Sequence, residues 1–201
     1  MQWNGSTWKR PNKSLRNKKN VIKSVCVYCG ASSGASARYG QAARALARAM
    51  VEENIALVYG GGNVGLMGVI ADEVLRLGGE VTGVIPTALV EREVGHLGLT
   101  RQFIVKDMHE RKAMMAELSD GFIAMPGGMG TLEELFEMLT WSQLGIHAKP
   151  VGVFNVDGYF DHLIGFLRHA QAQGFIRPAH GALMMVEQET GELLQRLKRG
   201  C

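Results

Sequence analysis

The sequence predicts an α/β domain: a doubly wound, mostly parallel sheet with helices on both faces. Three observations predict it. Short apolar runs alternate with longer stretches of helical periodicity along the whole chain, the pattern of repeated strand–helix units. Those runs are mostly continuous rather than alternating, as strands covered on both faces require. Small-residue loops at 29–34, 60–65 and 126–131 follow three of the runs. Sheets of this kind bind ligands just beyond the carboxyl ends of their strands.

The elements follow in order. Val21–Tyr28 reads as the first buried strand, and Ser36 can N-cap a helix that runs to about Glu53 with Ala42, Ala45, Leu46, Ala49 and Met50 on its inner stripe. Ile55–Tyr59 is a second strand, and the Gly60–Gly65 loop opens a helix from Leu66 to Leu77 closed by Gly78-Gly79. Glu80–Ile85 is a third strand, ended by Pro86. Thr87–Thr100 has no clear period and reads as a long connection, of the kind that is often functional. Gln102–Lys106 is a fourth strand. Asp107 and Glu110 then have capping-box spacing at the head of a helix to about Leu118. Gly121–Met125 is a fifth strand, followed by a glycine loop and a helix over Thr131–Gln143. Pro150–Asn155 and Leu183–Val186 are further strands, and Tyr159–Gln173 and Thr190–Lys198 further helices.

At 201 residues the chain reads as a single domain over 21–201 behind a basic tail at 1–20. The tail holds Lys9, Arg10, Lys13, Arg16, Lys18 and Lys19 and no acid, and reads as a solvated, disordered arm. Without those six cations the body has 16 basic against 19 acidic residues, a balance that argues against a nucleic-acid-binding face. No run approaches a membrane span, and the tail lacks the apolar core of a secretory signal. Three cysteines give no disulfide framework, so a cytoplasmic protein is expected.

The stretch Pro126-Gly127-Gly128-Met129-Gly130-Thr131 joins a strand to a helix N-terminus. Glycines admit a ligand close to the backbone, and the first helical turn offers unpaired N–H groups and a positive dipole end. That combination suits a phosphate. Glu133 and Glu134 stand directly behind it, which points to an enzyme on a phosphorylated sugar rather than a plain binding loop. Thr131 and Glu134 also have capping-box spacing, so Glu134 has a structural reading as well. Glu133, Glu137 and Thr140 share a polar helix face, and chemistry alone does not choose between the two adjacent carboxylates.

Gly60-x-Gly62-x-x-Gly65 fits the Rossmann dinucleotide fingerprint, but the next strand ends Val84-Ile85-Pro86, with no acid for a ribose hydroxyl. NAD is therefore disfavoured, and the loop reads equally as a tight turn or as a wall of a nucleotide pocket. Cys26 and Cys29 have C-x-x-C spacing but point to opposite faces of a strand, so they read as packed core residues. No second Cys or His pair completes a metal site. On spacing alone, Arg111 and Lys112 are a solvated cationic pair balanced by Glu110.

The set Met108-His109-Glu110-Arg111-Lys112 followed by Pro126–Glu134 resembles the LONELY GUY (LOG) family. Its members are cytokinin riboside 5′-monophosphate phosphoribohydrolases, long mislabelled as lysine decarboxylases. The resemblance extends to Val25–Ser33, Tyr59–Gly68 and Trp141–Pro150, and so covers residues 20–190. It implies a Rossmann-like fold, Arg111 and Glu134 as the catalytic pair, and Gly127, Gly128, Met129, Gly130 and Thr131 as the holders of the 5′-phosphate. It places Glu93, Lys112, Glu133 and Thr140 around the nucleotide. Met129 stands where many members have an aromatic, which bears on substrate fit. The implied reaction hydrolyses the N-glycosidic bond of an adenine nucleoside 5′-monophosphate with no metal or organic cofactor. The implied assembly is a homodimer. The alternative is a non-catalytic nucleotide-binding protein similar to molybdenum-cofactor carriers. Lysine decarboxylation would need a Schiff-base lysine and a pyridoxal site, and no residue identifies one.

Overall fold

All seven expected strands belong to one parallel sheet. The computed structural model describes residues 21–90 and 95–200, so the basic tail and Glu93 lie outside the described residues. The strands are β1 (Ser24–Tyr28), β2 (Ala56–Tyr59), β3 (Val81–Pro86), β4 (Arg101–Val105), β5 (Gly121–Ala124), β6 (Val151–Phe154) and β7 (Met184–Glu187). Their spatial order is β4-β3-β2-β1-β5-β6-β7. The chain thus winds outward from β1 in one direction, then returns to start again at β5 on its other side. β1 is paired to β2 through Val25 and Leu57, and to β5 through Val25 and Gly121.

The major helices are α1 (Ala37–Glu52), α2 (Gly65–Arg76), α4 (Met108–Glu117), α5 (Met129–Gln143), α6 (Asp161–Ala172) and α8 (Thr190–Arg199). Two short helices, α3 (Thr87–Val90) and α7 (Pro178–Gly181), and a 3₁₀ turn at Val156–Gly158 were not foreseen. Each is a single turn, too short to show a hydrophobic period.

Strand alternation divides the core into two layers. Val25 and Val27 of β1 and Cys29 just after it face the layer built by α1, α2 and α8, while Cys26 and Tyr28 face the layer containing Met115 of α4 and Leu135 and Met138 of α5. The cysteines therefore lie on opposite faces as the spacing requires, and both are buried and unpaired. Ser36 caps α1, accepting from the Arg38 N–H, and the helix buries Ala43, Leu46, Ala47 and Met50. Truncating the fully buried Leu46 to alanine costs about 2–5 kcal/mol. Glu73 of α2 joins the two helices through Arg48 of α1 at 2.9 Å and is held within its own helix by Arg76 at 2.8 Å.

Candidate active site at the sheet switch point

Strand order reverses between β1 and β5, and in open parallel sheets the crevice outside that point is where ligands bind. Here the loop after β1 and the loop after β5 flank a cavity of about 450 Å³. Its walls include Ser32, Ser33, Tyr39, Gly127, Gly128 and Tyr159. The fold therefore places the expected anion loop at the mouth of the expected crevice.

The loop differs from expectation in one respect. Helix α5 begins at Met129 with Gly128 as its N-cap and no side-chain cap. Thr131 is already helical and buried, so Thr131 and Glu134 do not form a capping box across the helix start. The capping reading fails because the glycines let the helix begin two residues earlier, with the Leu132 N–H bonded to the Gly128 carbonyl at 3.1 Å. Gly128 supplies no side-chain cap, and the first N–H groups of a helix have no acceptor within the helix itself.

The glycines have two different reasons to be glycine. A Cβ on Gly127 would meet the Thr131 side chain and stand 2.8 Å from the Gly30 backbone nitrogen, so the protein itself excludes one. A Cβ on Gly128 or Gly130 would meet no protein atom within 4 Å. Those two positions leave the helix end open to a ligand. Met129 between them is 85% exposed.

Glu134 sits on the second turn of α5, half-buried. Its charge is felt at the β1 end, where it helps to hold the Cys26 and Cys29 thiols and the Tyr28 phenol above their ordinary values, burial being the larger cause in each case. Arg111 acts on Cys26 in the opposite sense. The two residues of the expected pair thus bear on the same buried thiol from two helices.

Arg111 is not the solvated cation that spacing suggested. It is 6% exposed. Its Nε donates to the Val84 carbonyl at 3.1 Å and its Nη2 to the Gly60 carbonyl at 3.0 Å. Glu110 turns away to accept from the Lys106 N–H at 2.8 Å, and Asp107 caps α4 by accepting from the His109 and Glu110 N–H groups. Val84 lies near the end of β3, where a dinucleotide site would need its acid, and its carbonyl is engaged by Arg111 instead. Gly60 has no room for a Cβ, which would overlap the guanidinium. The 60–65 loop also braces the β1 loop: the Leu66 N–H bonds the Gly30 carbonyl at 2.9 Å, and a Cβ on Gly65 would overlap the Ala31 and Ser32 backbone. It is a tight packing turn, and Leu66 just after it lines the cavity.

Lys112 pairs with Glu133 and, at 3.1 Å, with Glu137, tying α4 to α5. Thr140 lies three turns along α5, about 16 Å from Met129 at 1.5 Å per residue. Its hydroxyl donates to the Phe136 carbonyl at 2.7 Å, and the residue lines a separate cavity of about 430 Å³ with Ile164 and Arg168. The structure thus brings Gly127 and Gly128 to the crevice and puts Glu134 on the second turn of the helix that follows. It holds Arg111 on the Gly60 and Val84 carbonyls and leaves Thr140 apart from the crevice. Ser32, Ser33, Tyr39 and Tyr159 were not singled out from sequence. The small-residue character of loop 29–34 was the available signal for the serines, and nothing local marks the tyrosines.

The chain is similar to known proteins over most of its length. Residues 67–197 match a protein-family model described as "Possible lysine decarboxylase". The cytokinin riboside 5′-monophosphate phosphoribohydrolase LOG5 of Arabidopsis thaliana is 48% identical over 180 residues, 90% of this chain and 79% of the relative. The cytokinin riboside 5′-monophosphate phosphoribohydrolase of Rhodococcoides fascians is 50% identical over 165 residues, 82% of this chain and 83% of the relative. Among solved structures, the molybdenum cofactor binding protein of Rippkaea orientalis superposes with a TM-score of 0.65 at 20% identity, over 86% of this chain and 93% of that one, a likeness of fold. With sequence identity of that degree over most of both chains, this protein belongs to the LOG family of cytokinin riboside 5′-monophosphate phosphoribohydrolases.

Proposed function

We propose that this protein hydrolyses the N-glycosidic bond of adenosine 5′-monophosphates, with or without an N6 substituent, releasing the free base and ribose 5-phosphate. The observation that carries the reading is the crevice between β1 and β5. There an uncapped helix N-terminus, open at Gly128 and Gly130, lies one turn from Glu134. The helix end holds the 5′-phosphate by its N–H groups and dipole. Binding energy from that remote group positions the ribose.

Water attacks C1′ as the C1′–N9 bond breaks. The bond's electron pair leaves with the base, which gains a proton as the water loses one. Positive charge builds on the ribose in the transition state, as in other glycoside hydrolyses. Ionised Glu134 stabilises that charge and orients the water. Arg111, held by two carbonyls in a dry setting, orients the carboxylate or the substrate. Lys112 and Glu133 serve the nucleotide from α4 and α5. Thr140 reaches a nucleotide only where a second copy brings its crevice to that face. Glu93, outside the described residues, keeps the nucleotide role that the family resemblance implies.

A homodimer supports the position of Thr140. Helix α6 buries none of its residues, Phe166 on it is 64% exposed, and Thr140 faces the cavity beside it. A second copy on that face covers the apolar surface, and sedimentation at micromolar concentration checks it. A cytoplasmic site of action accords with two buried unpaired cysteines, and cell fractionation checks that. Among the described residues no helix is long and apolar enough to cross a membrane. The activity is tested by chromatography of AMP and N6-isopentenyl-AMP incubations: base release from either supports the reading, and release from neither ends it.

A further inference from the structure

Three successive peptide planes shape the anion loop, and each is held through its carbonyl. The Pro126 carbonyl accepts from the Gly30 N–H at 3.0 Å, and the Gly128 carbonyl accepts from the Leu132 N–H at 3.1 Å. Both are backbone bonds that no substitution of a side chain removes directly. The Gly127 carbonyl between them accepts from the Tyr159 hydroxyl at 2.7 Å, a side-chain bond. In a trans peptide the C=O and the following N–H point in opposite directions. Fixing the Gly127 carbonyl therefore fixes the Gly128 N–H. Glycine on both sides of that peptide leaves little steric resistance to its rotation.

Tyr159 is itself firmly placed. Its ring meets Phe160 edge-on at 4.9 Å and Tyr39 edge-on at 5.7 Å. It follows a turn in which Asp157 (φ 53°) and Gly158 (φ 72°) both take left-handed backbone conformations. Such a conformation is costly at a residue with a side chain and persists only where neighbours hold it. Here Arg38 of the α1 first turn pairs with Asp157 at 2.6 Å, and Asn155 bonds the Phe160 N–H at 2.8 Å and the Asp161 carboxylate at 2.7 Å. The turn delivers a phenol to a glycine carbonyl 32 residues away in sequence.

We infer that Tyr159 is a positioning residue for the anion site, its hydroxyl holding the Gly127–Gly128 peptide so that the Gly128 N–H is preset for a phosphate oxygen. This rests on reading 127–131 as the phosphate loop. Tyr159 acts through the loop and on binding rather than on bond cleavage.

The test is Tyr159→Phe in the full chain, which keeps the ring packing and removes only the hydroxyl. Inorganic phosphate, titrated by calorimetry and as a competitive inhibitor, binds about five- to tenfold more weakly, the loss of one hydrogen-bonded restraint. KM for AMP rises by a similar factor while kcat stays within about twofold, as for an interaction shared by ground and transition states. Unchanged phosphate affinity overturns the inference. So does a fall in kcat with KM unchanged, or a lowered melting temperature with no change in phosphate binding. If the wild-type protein binds phosphate but releases no base, the hydrolase reading fails, and the phosphate titration still decides the role of Tyr159.

Discussion

Arg111 and Gly60 are made for each other: the guanidinium Nη2 donates to the Gly60 carbonyl at 3.0 Å, and it lies where a Cβ on Gly60 would stand. Gly60→Ala therefore displaces Arg111. The displaced atoms are the end of a flexible side chain, so the fold loses little, about 1 kcal/mol. Activity loses far more, on the order of 10²-fold or greater in kcat/KM. A thermal melt beside a kinetic assay separates the two. A variant that keeps full rate would show that Arg111 need not sit there.

Glu134→Gln keeps the shape of the side chain and removes its charge. It should lower kcat on the order of 10²–10³-fold and leave KM within a few-fold, because the charge it answers develops only in the transition state. The same change at Glu133, whose partner is Lys112, should act mainly on KM. Equal losses of kcat at both positions would show that the neighbouring carboxylates are not separated in role.

Gly127 and Gly128 should respond oppositely to alanine. Gly127→Ala sets a Cβ against Thr131 and the Gly30 backbone and should cost about 1–3 kcal/mol of stability. Gly128→Ala meets no protein atom and should leave stability within about 0.5 kcal/mol. It should instead raise KM for AMP by about tenfold, since the methyl stands where the phosphate approaches. Denaturant melts and initial rates on both variants check the contrast.

Acid should loosen the α1–α2 pair. Hydrogen bonding to Arg76 first, then Arg48, holds the Glu73 carboxyl down to about 2 from an ordinary 4.5. A depressed carboxyl contributes stability above its unfolded value and loses it as pH falls through the folded one. The window is therefore between pH 4.5 and pH 2. Glu73→Gln should be less stable than wild type at pH 6 in urea titrations, with the gap closing as pH is lowered through that window. A gap that stays constant would show that the ion pairs contribute nothing measurable.

The strands were legible because most are short and apolar, and β1, β2 and β5 are each followed by a small-residue loop. Their order was not, since β1 chooses β5 as a neighbour through pairings such as Val25 with Gly121 that no local pattern encodes. Arg111 shows the same limit at the site. Its spacing said solvent, and its burial is decided by carbonyls of Gly60 and Val84, 51 and 27 residues upstream. Thr131 and Glu134 matched a capping pattern that the preceding glycines pre-empted, because Gly128 takes the cap first. Tyr159 could not be read at all: its importance lies in reaching a backbone carbonyl, and a tyrosine after a turn has no signature for that.

The β1–β5 pairing also has a consequence in time. It joins residue 25 to residue 121, so the intervening chain must be gathered before the crevice exists. Closing so long a loop is entropically slow, whereas helices such as α1 form from neighbouring residues. During refolding from denaturant, circular dichroism should recover first and enzymatic turnover later. Catalysis is then a report on completed topology, because no half-wound intermediate contains both walls of the crevice.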